Sequence, residues 1–109
     1  MNLYVHVYAE SPRIWIAQGL SLDFCEQGTS QEEVIQTFHA NLQLTLQGAS
    51  TERHNLVAFL LPAPPSVWKA FYVRRAYSTV KTLPLEVPEA LLAAVPYRTL
   101  TFLSVPKGN

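Results

Sequence analysis

The chain has 109 residues and no net charge, because eight Lys and Arg balance eight Asp and Glu. A chain of this length forms one ordinary domain that buries roughly two-thirds of its unfolded surface. A domain with zero net charge has no overall positive potential that would attract nucleic acid or an anionic membrane. Only a local basic patch could still bind them. Charged residues are 15% of the chain, against a usual share of about 25%, which predicts that some apolar surface is hidden in a homo-oligomer.

The cysteine content and the hydropathy of the chain indicate the cellular compartment that we expect for this protein. The single cysteine, Cys25, excludes an internal disulfide and a cysteine-built zinc site, and it suits a reducing compartment. The N-terminus lacks the basic start and apolar core of a signal peptide. No run approaches the roughly 18 apolar residues of a membrane-spanning helix. We therefore expect a soluble cytoplasmic protein with no membrane partner.

Three extended segments open the chain. Residues 3–8 alternate aliphatic with aromatic or histidine side chains, which predicts a strand. A turn over residues 10–13 contains Pro12, and residues 13–17 resume the alternation as the second strand of a hairpin. Residues 22–27 form a third strand. In this hairpin we expect Tyr4, Tyr8 and Trp15 on the face opposite the aliphatic side chains.

A glycine turn and a helix start follow. Gly28 is predicted to turn the chain through a positive φ. Ser30 and Glu33 have the spacing of a capping box, and Thr29 with Glu32 offers the same spacing one residue earlier. The helix is predicted over residues 31–47, with Gly48 as its C-terminal cap. Its apolar stripe should lie on the sheet, with a solvated side made of Gln36, His39, Gln43 and Gln47.

The second half of the chain is rich in proline. Residues 56–61 are predicted as a strand or a buried extended segment, and stiff prolines then lead into a helix over residues 66–76. Trp68, Phe71, Tyr72 and Arg75 share one side of that helix. Residues 79–87 are expected as an edge or irregular strand because of Pro84. A short helix over 89–95 and a final strand over 98–105 complete the chain.

An aromatic second strand, a turn at Gly28 and a capping box follow one another before an apolar helix. In this order, over residues 3–48, they resemble the HicB-like antitoxin family. Residues 62–68 look like the proline-then-tryptophan segment of some short, solitary HicB-like proteins. The resemblance implies an α+β fold with a small antiparallel or mixed sheet, a helix on one face, and the order β-β-β-α-β of a partial RNase H-like frame. Residues 1–109 would be a single HicB-like domain, with a core motif at 1–48 and a helix-and-strand C-terminal extension at 49–109.

The resemblance also implies function. Such proteins bind and neutralise a small ribonuclease toxin, and often bind their own operator DNA through an added helical region. Residues 81–95 outline only the start of such a region, because prolines interrupt it and no second helix follows. Arg74 and Arg75, near Tyr72 and Tyr77, are the candidate nucleic-acid contacts, with a solvated helix end as the alternative.

The residues offer little catalytic chemistry. The histidines His6, His39 and His54 are not spaced as metal ligands, and Cys25 is expected in a buried strand without a cation to activate it. Asp23 and Glu26, three apart on a strand, would point to opposite faces and not share a proton. We therefore predict no catalytic residue, metal or cofactor.

The predicted function is antitoxin-like or antitoxin-derived binding by protein contact and self-association. The predicted contact residues are Tyr4, Tyr8, Trp15 and Trp68, since Tyr and Trp are enriched at interfaces. The alternative is that the C-terminal half covers these aromatics. Other open functions are a metal-dependent nuclease on an RNase H-like frame, an operator-binding regulator and a structural oligomer.

Overall fold

The computed structural model describes residues 1–51, 61–73 and 77–104. Within these ranges the strands are β1 (Asn2–Ser11), β2 (Ile14–Gly19), β3 (Cys25–Gly28), β4 (Ser78–Pro84) and β5 (Thr99–Ser104). The helices are α1 (Gln31–Thr51) and α2 (Pro65–Val73), with a 3₁₀ turn at Glu89–Leu91. The predicted α+β class is confirmed. Arg74, Arg75, His54 and most of the predicted strand at 56–61 lie outside the described residues.

The five strands form one mixed sheet in the order β3-β2-β1-β5-β4. β1 pairs antiparallel with β2 and parallel with β5, so the last strand lies beside the first in the middle of the sheet. β4 pairs antiparallel with β5 at the sheet edge, as Pro84 predicted, although it ends at Pro84 and not at residue 87. The C-terminal part of the chain therefore completes the sheet.

The hairpin register corrects the predicted position of Trp15. Val7 lies opposite Ala17, and Ala9 lies opposite Trp15. Opposing residues share a face, and so do residues two apart on one strand. Trp15 is consequently on the face of Val7, where it packs against the main core; its predicted place beside Tyr4 and Tyr8 was wrong. The register decides this, because a shift of one residue exchanges the two faces.

Helix α1 covers the aliphatic face of the sheet. Its predicted stripe is buried, and it consists of Val34, Ile35, Phe38, Leu42 and Leu46. The Phe38 ring packs edge-on against Phe24 and Phe102, with centroid distances of 5.2 and 5.7 Å. Leu100, Leu91 and Val95 join the same cluster from the C-terminal part of the chain. One hydrophobic core thus unites both halves.

The start of α1 carries a modified capping box. The Ser30 hydroxyl accepts the Glu33 N–H at 3.1 Å, as predicted. The Glu33 carboxylate returns to Thr29, accepting from its N–H at 3.1 Å and its hydroxyl at 2.8 Å, where a standard box would use the N–H of Ser30. Gly28 does not have the predicted positive φ. An added Cβ at Gly28 would lie 3.0 Å from the backbone nitrogen of Val34, so glycine avoids a crowded contact with the start of α1.

Two expectations about the rest of α1 were wrong. The helix continues through Gly48 to Thr51, so Gly48 is not its cap. The polar side is not uniformly solvated, because it holds the segment after β4. His39 Nε2 lies 2.8 Å from the carbonyl oxygen of Pro84. The Gln43 amide donates to the carbonyl of Glu86 and accepts its N–H, both at 2.8 Å.

The predicted helix at 89–95 is only the 3₁₀ turn Glu89–Leu91 followed by turn residues. Among the described residues, no helix is long and apolar enough to cross a membrane.

Candidate protein-binding surface

Helix α2 lies over the sheet face opposite α1, where His6 is its central contact. The His6 side chain is only 4% exposed, and its ring lies 5.6 Å from that of Phe71 and 5.1 Å from that of Tyr77. The Tyr77 hydroxyl donates to the carbonyl of Phe71 at 3.0 Å. The Tyr77 hydroxyl oxygen also lies 3.3 Å from His6 Nε2. The C-terminal half therefore covers the middle of this face.

The loop after β2 holds the proline segment in place. The N–H of Ala63 donates to the carbonyl of Leu20 at 2.9 Å, and the N–H of Asp23 donates to the carbonyl of Leu61 at 2.8 Å. Ala63 and Leu20 are both buried. The prolines on either side of Ala63 remain exposed. Pro65 then begins α2, where its fixed φ suits the first helical position.

The outer part of the surface formed by α2 and residues 61–65 is open and apolar. A pocket of about 270 Å³ is lined by Tyr4, Leu20, Ser21, Trp68, Phe71, Tyr72 and Leu103. A second, shallower concavity shares Trp68 and Tyr72 and extends along residues 61–65. We call the outer residues of these two concavities the aromatic face: Tyr4, Leu61, Pro62, Pro64, Pro65, Trp68 and Tyr72. Among the described residues, neither concavity is lined by a charged side chain.

The aromatic face is well exposed for an apolar surface. Tyr72 is 64% exposed, Leu61 58% and Tyr4 46%. The rings of Trp68 and Tyr72 are stacked one helical turn apart, with centroids separated by 6.0 Å and planes inclined by 28°. Contiguous exposed apolar patches of this kind mark interaction sites in globular proteins. The arrangement can bind an apolar or proline-rich surface.

The structure brings together only some of the predicted contact residues. Tyr4 and Trp68 line one pocket. Tyr8 lies farther along β1, half-buried, with its ring 4.7 Å from that of His6. Trp15 is on the opposite face of the sheet. Tyr72 was not among the predicted contacts, although its spacing of four residues from Trp68 is a signal that could have placed it there.

The two candidate acidic side chains, Asp23 and Glu26, form hydrogen bonds to different residues. The Asp23 carboxylate accepts from the Gln18 amide at 3.0 Å, and the Glu26 carboxylate accepts from the Asn41 amide at 3.0 Å. The two carboxyl groups therefore have different partners. Among the described residues, no group of three or more His, Cys, Asp and Glu could hold a metal ion.

Cys25 is exposed on edge strand β3, so its predicted burial was wrong. Among the described residues, β3 pairs with β2 alone. Partial desolvation, followed by the negative charges of Glu26 and Asp23, raises the pKa of the Cys25 thiol. A raised pKa lowers the fraction of nucleophilic thiolate at neutral pH.

Comparison with family models, with curated proteins and with solved structures finds no match to this chain. The resemblance to HicB-like antitoxins therefore stays a prediction from the motif in residues 3–48 and from the proline-tryptophan segment.

Proposed function

We propose that this protein is an antitoxin-like binding protein that acts through protein contact and self-association, with the aromatic face as a protein interface. The observation that carries the proposal is the exposure of Tyr4 and Tyr72 beside Trp68, in a concavity whose described lining residues carry no charge. Tyr and Trp supply large contact area at little cost in conformational entropy. A surface of this composition suits protein recognition better than it suits catalysis.

The toxin partner is proposed from the sequence motif. Three strands followed by a capped helix agree with the order that the HicB-like resemblance implies. The partial RNase H-like relationship and the small ribonuclease partner belong to the same proposal.

The decisive experiment is purification of the tagged protein from its native host under gentle conditions. We expect it to retain a small basic ribonuclease encoded beside its own gene, and to suppress RNA cleavage by that ribonuclease when the two are mixed. Recovery of this protein alone, with no effect on the neighbouring gene product, would overturn the antitoxin role.

A matched pair of variants tests the aromatic face in the same assays. Tyr72→Ser removes a ring that is 64% exposed, and Leu44→Ser removes an equally exposed apolar side chain on α1. We expect Tyr72→Ser to reduce protein association and Leu44→Ser to leave it unchanged. Equal effects of the two variants would show that the aromatic face has no special role.

A further inference from the structure

We propose that two copies of this chain associate through their aromatic faces, with the proline segment (residues 62–65) of each copy lying across Trp68 and Tyr72 of the other. The proposal rests on the aromatic face being a protein interface, and it names the occupant and the mode of contact.

The first step concerns the chemistry that suits the groove. Aromatic side chains that form a groove are the usual receptors for proline-rich segments, because the flat rings pack against pyrrolidine rings. Trp68 and Tyr72 provide two stacked rings, and Tyr4 adds a third from β1. Since the described residues that line the two concavities carry no charge, the recognition that they offer depends on shape and apolar contact.

The second step concerns the ligand, which the chain itself carries. Three of the four residues 62–65 are proline, so their φ angles are restricted before binding and little conformational entropy is lost on contact. The hydrogen bonds of Leu61 and Ala63 to the loop after β2 fix the segment with its prolines exposed. It is therefore presented in a preorganised form on the same surface as the groove.

The third step is symmetry. A twofold axis brings the same patch of both copies together, so a patch that contains both a ligand and its receptor can form two equivalent contacts at once. The zero net charge removes the overall repulsion that two like-charged copies would feel, and the described residues that line the two concavities include no charged side chain. A second copy carries both parts of the contact, the proline segment and the rings of Trp68 and Tyr72.

The size of the patch sets the expected strength. Each large aromatic side chain buries about 150–250 Å² when fully covered. The partly exposed rings and Leu61 thus supply a few hundred Å² per copy, less than the roughly 800 Å² of a standard interface. We expect a dimer with a dissociation constant in the micromolar range, which dilution can separate.

Sedimentation velocity of the full chain between about 1 and 500 µM measures this association directly. Tyr72→Ser should weaken the dimer about tenfold or more, as loss of an aromatic contact at the centre of an interface does. Leu44→Ser is the control and should leave the dimer unchanged. A wild-type protein that stays monomeric throughout, or a dimer equally sensitive to both variants, would overturn the proposal.

Mixing two defective variants tests the exchange of segments. Tyr72→Ser damages the groove and keeps the prolines, whereas the double variant Pro62→Ala and Pro64→Ala damages the segment and keeps the rings. Each variant alone has no intact segment-groove pair, but a mixed dimer has one. Fluorescence anisotropy should show the mixture associating more tightly than either variant alone, once circular dichroism has shown both folded. Association no tighter in the mixture would contradict the exchange.

The outcomes separate this proposal from the antitoxin role. A wild-type dimer that neutralises no ribonuclease would overturn the antitoxin role and keep the aromatic interface. A monomer that neutralises a ribonuclease would keep the antitoxin role and overturn the dimer.

Discussion

Replacing Gly19 by alanine should destabilise the fold through a single backbone clash. Gly19 ends β2, and an added Cβ would lie 2.5 Å from the carbonyl oxygen of Leu22 and 3.3 Å from that of Phe24. Both neighbours are backbone atoms, which cannot rotate away. Relief therefore requires the loop to shift, at the typical overpacking cost of about 1–3 kcal/mol.

The consequences extend to the aromatic face. The same loop supplies the N–H of Asp23 that holds Leu61 and the carbonyl of Leu20 that holds Ala63. A shift of this loop should loosen the proline segment as well as lower the free energy of unfolding. We therefore expect Gly19→Ala to weaken dimer formation in addition to its effect on stability.

Gly48→Ala is the matched control. Gly48 lies within α1, and an added Cβ there would meet nothing within 4 Å. The same substitution should stabilise the fold by about 0.5–1 kcal/mol, because alanine is the better helix former. Urea denaturation measures both variants as shifts of the midpoint at an unchanged slope. A Gly19→Ala protein within about 0.5 kcal/mol of the wild type would refute the clash argument.

Three further predictions follow from contacts of single side chains. Ser30→Ala should lower the free energy of unfolding by about 1 kcal/mol, because the N–H of Glu33 loses its cap; an unchanged urea midpoint would contradict this. Gln43→Ala should cost about 1 kcal/mol through its two hydrogen bonds to Glu86, whereas Gln36→Ala on the exposed side of the same helix should cost little. At about pH 8, iodoacetamide should modify Cys25 more slowly in the native protein than in urea, because the pKa of the native thiol is raised. The difference between the two rates should shrink as the pH rises through the pKa of the native thiol. Glu26→Gln should speed the native reaction, and a native rate equal to the unfolded rate would contradict the raised pKa.

Features that depend on neighbours along the chain could be predicted from the sequence. The alternation of β1, the Ser30 cap and the apolar stripe of α1 all arise from periods of two or 3.6 residues and from hydrogen bonds within one turn. The edge position of β4 likewise follows from one proline that cannot donate to a ladder. These local rules were sufficient for the α+β class.

The candidate site was only partly predictable. Tyr4 and Trp68 were recognised by residue type. Their residue numbers differ by 64, and the structure brings them to one pocket. The spacing of four residues places Tyr72 beside Trp68 on α2, but only the packing of α2 on the second face of the sheet shows that this side of the helix is open to solvent. Residue type indicates a tendency to bind, whereas position on the folded surface decides whether the side chain is available.

The amino-acid sequence by itself determined the strand character of β1, the start of α1 and its buried stripe, because turn residues, caps and hydrophobic period act over a few neighbouring positions. Only the tertiary structure decided which face Trp15 occupies, that β5 lies beside β1, and that Gln43 holds Glu86. Each of these depends on pairing between segments distant in the chain. Such pairing is selected by the packing of the whole core, which no local pattern encodes.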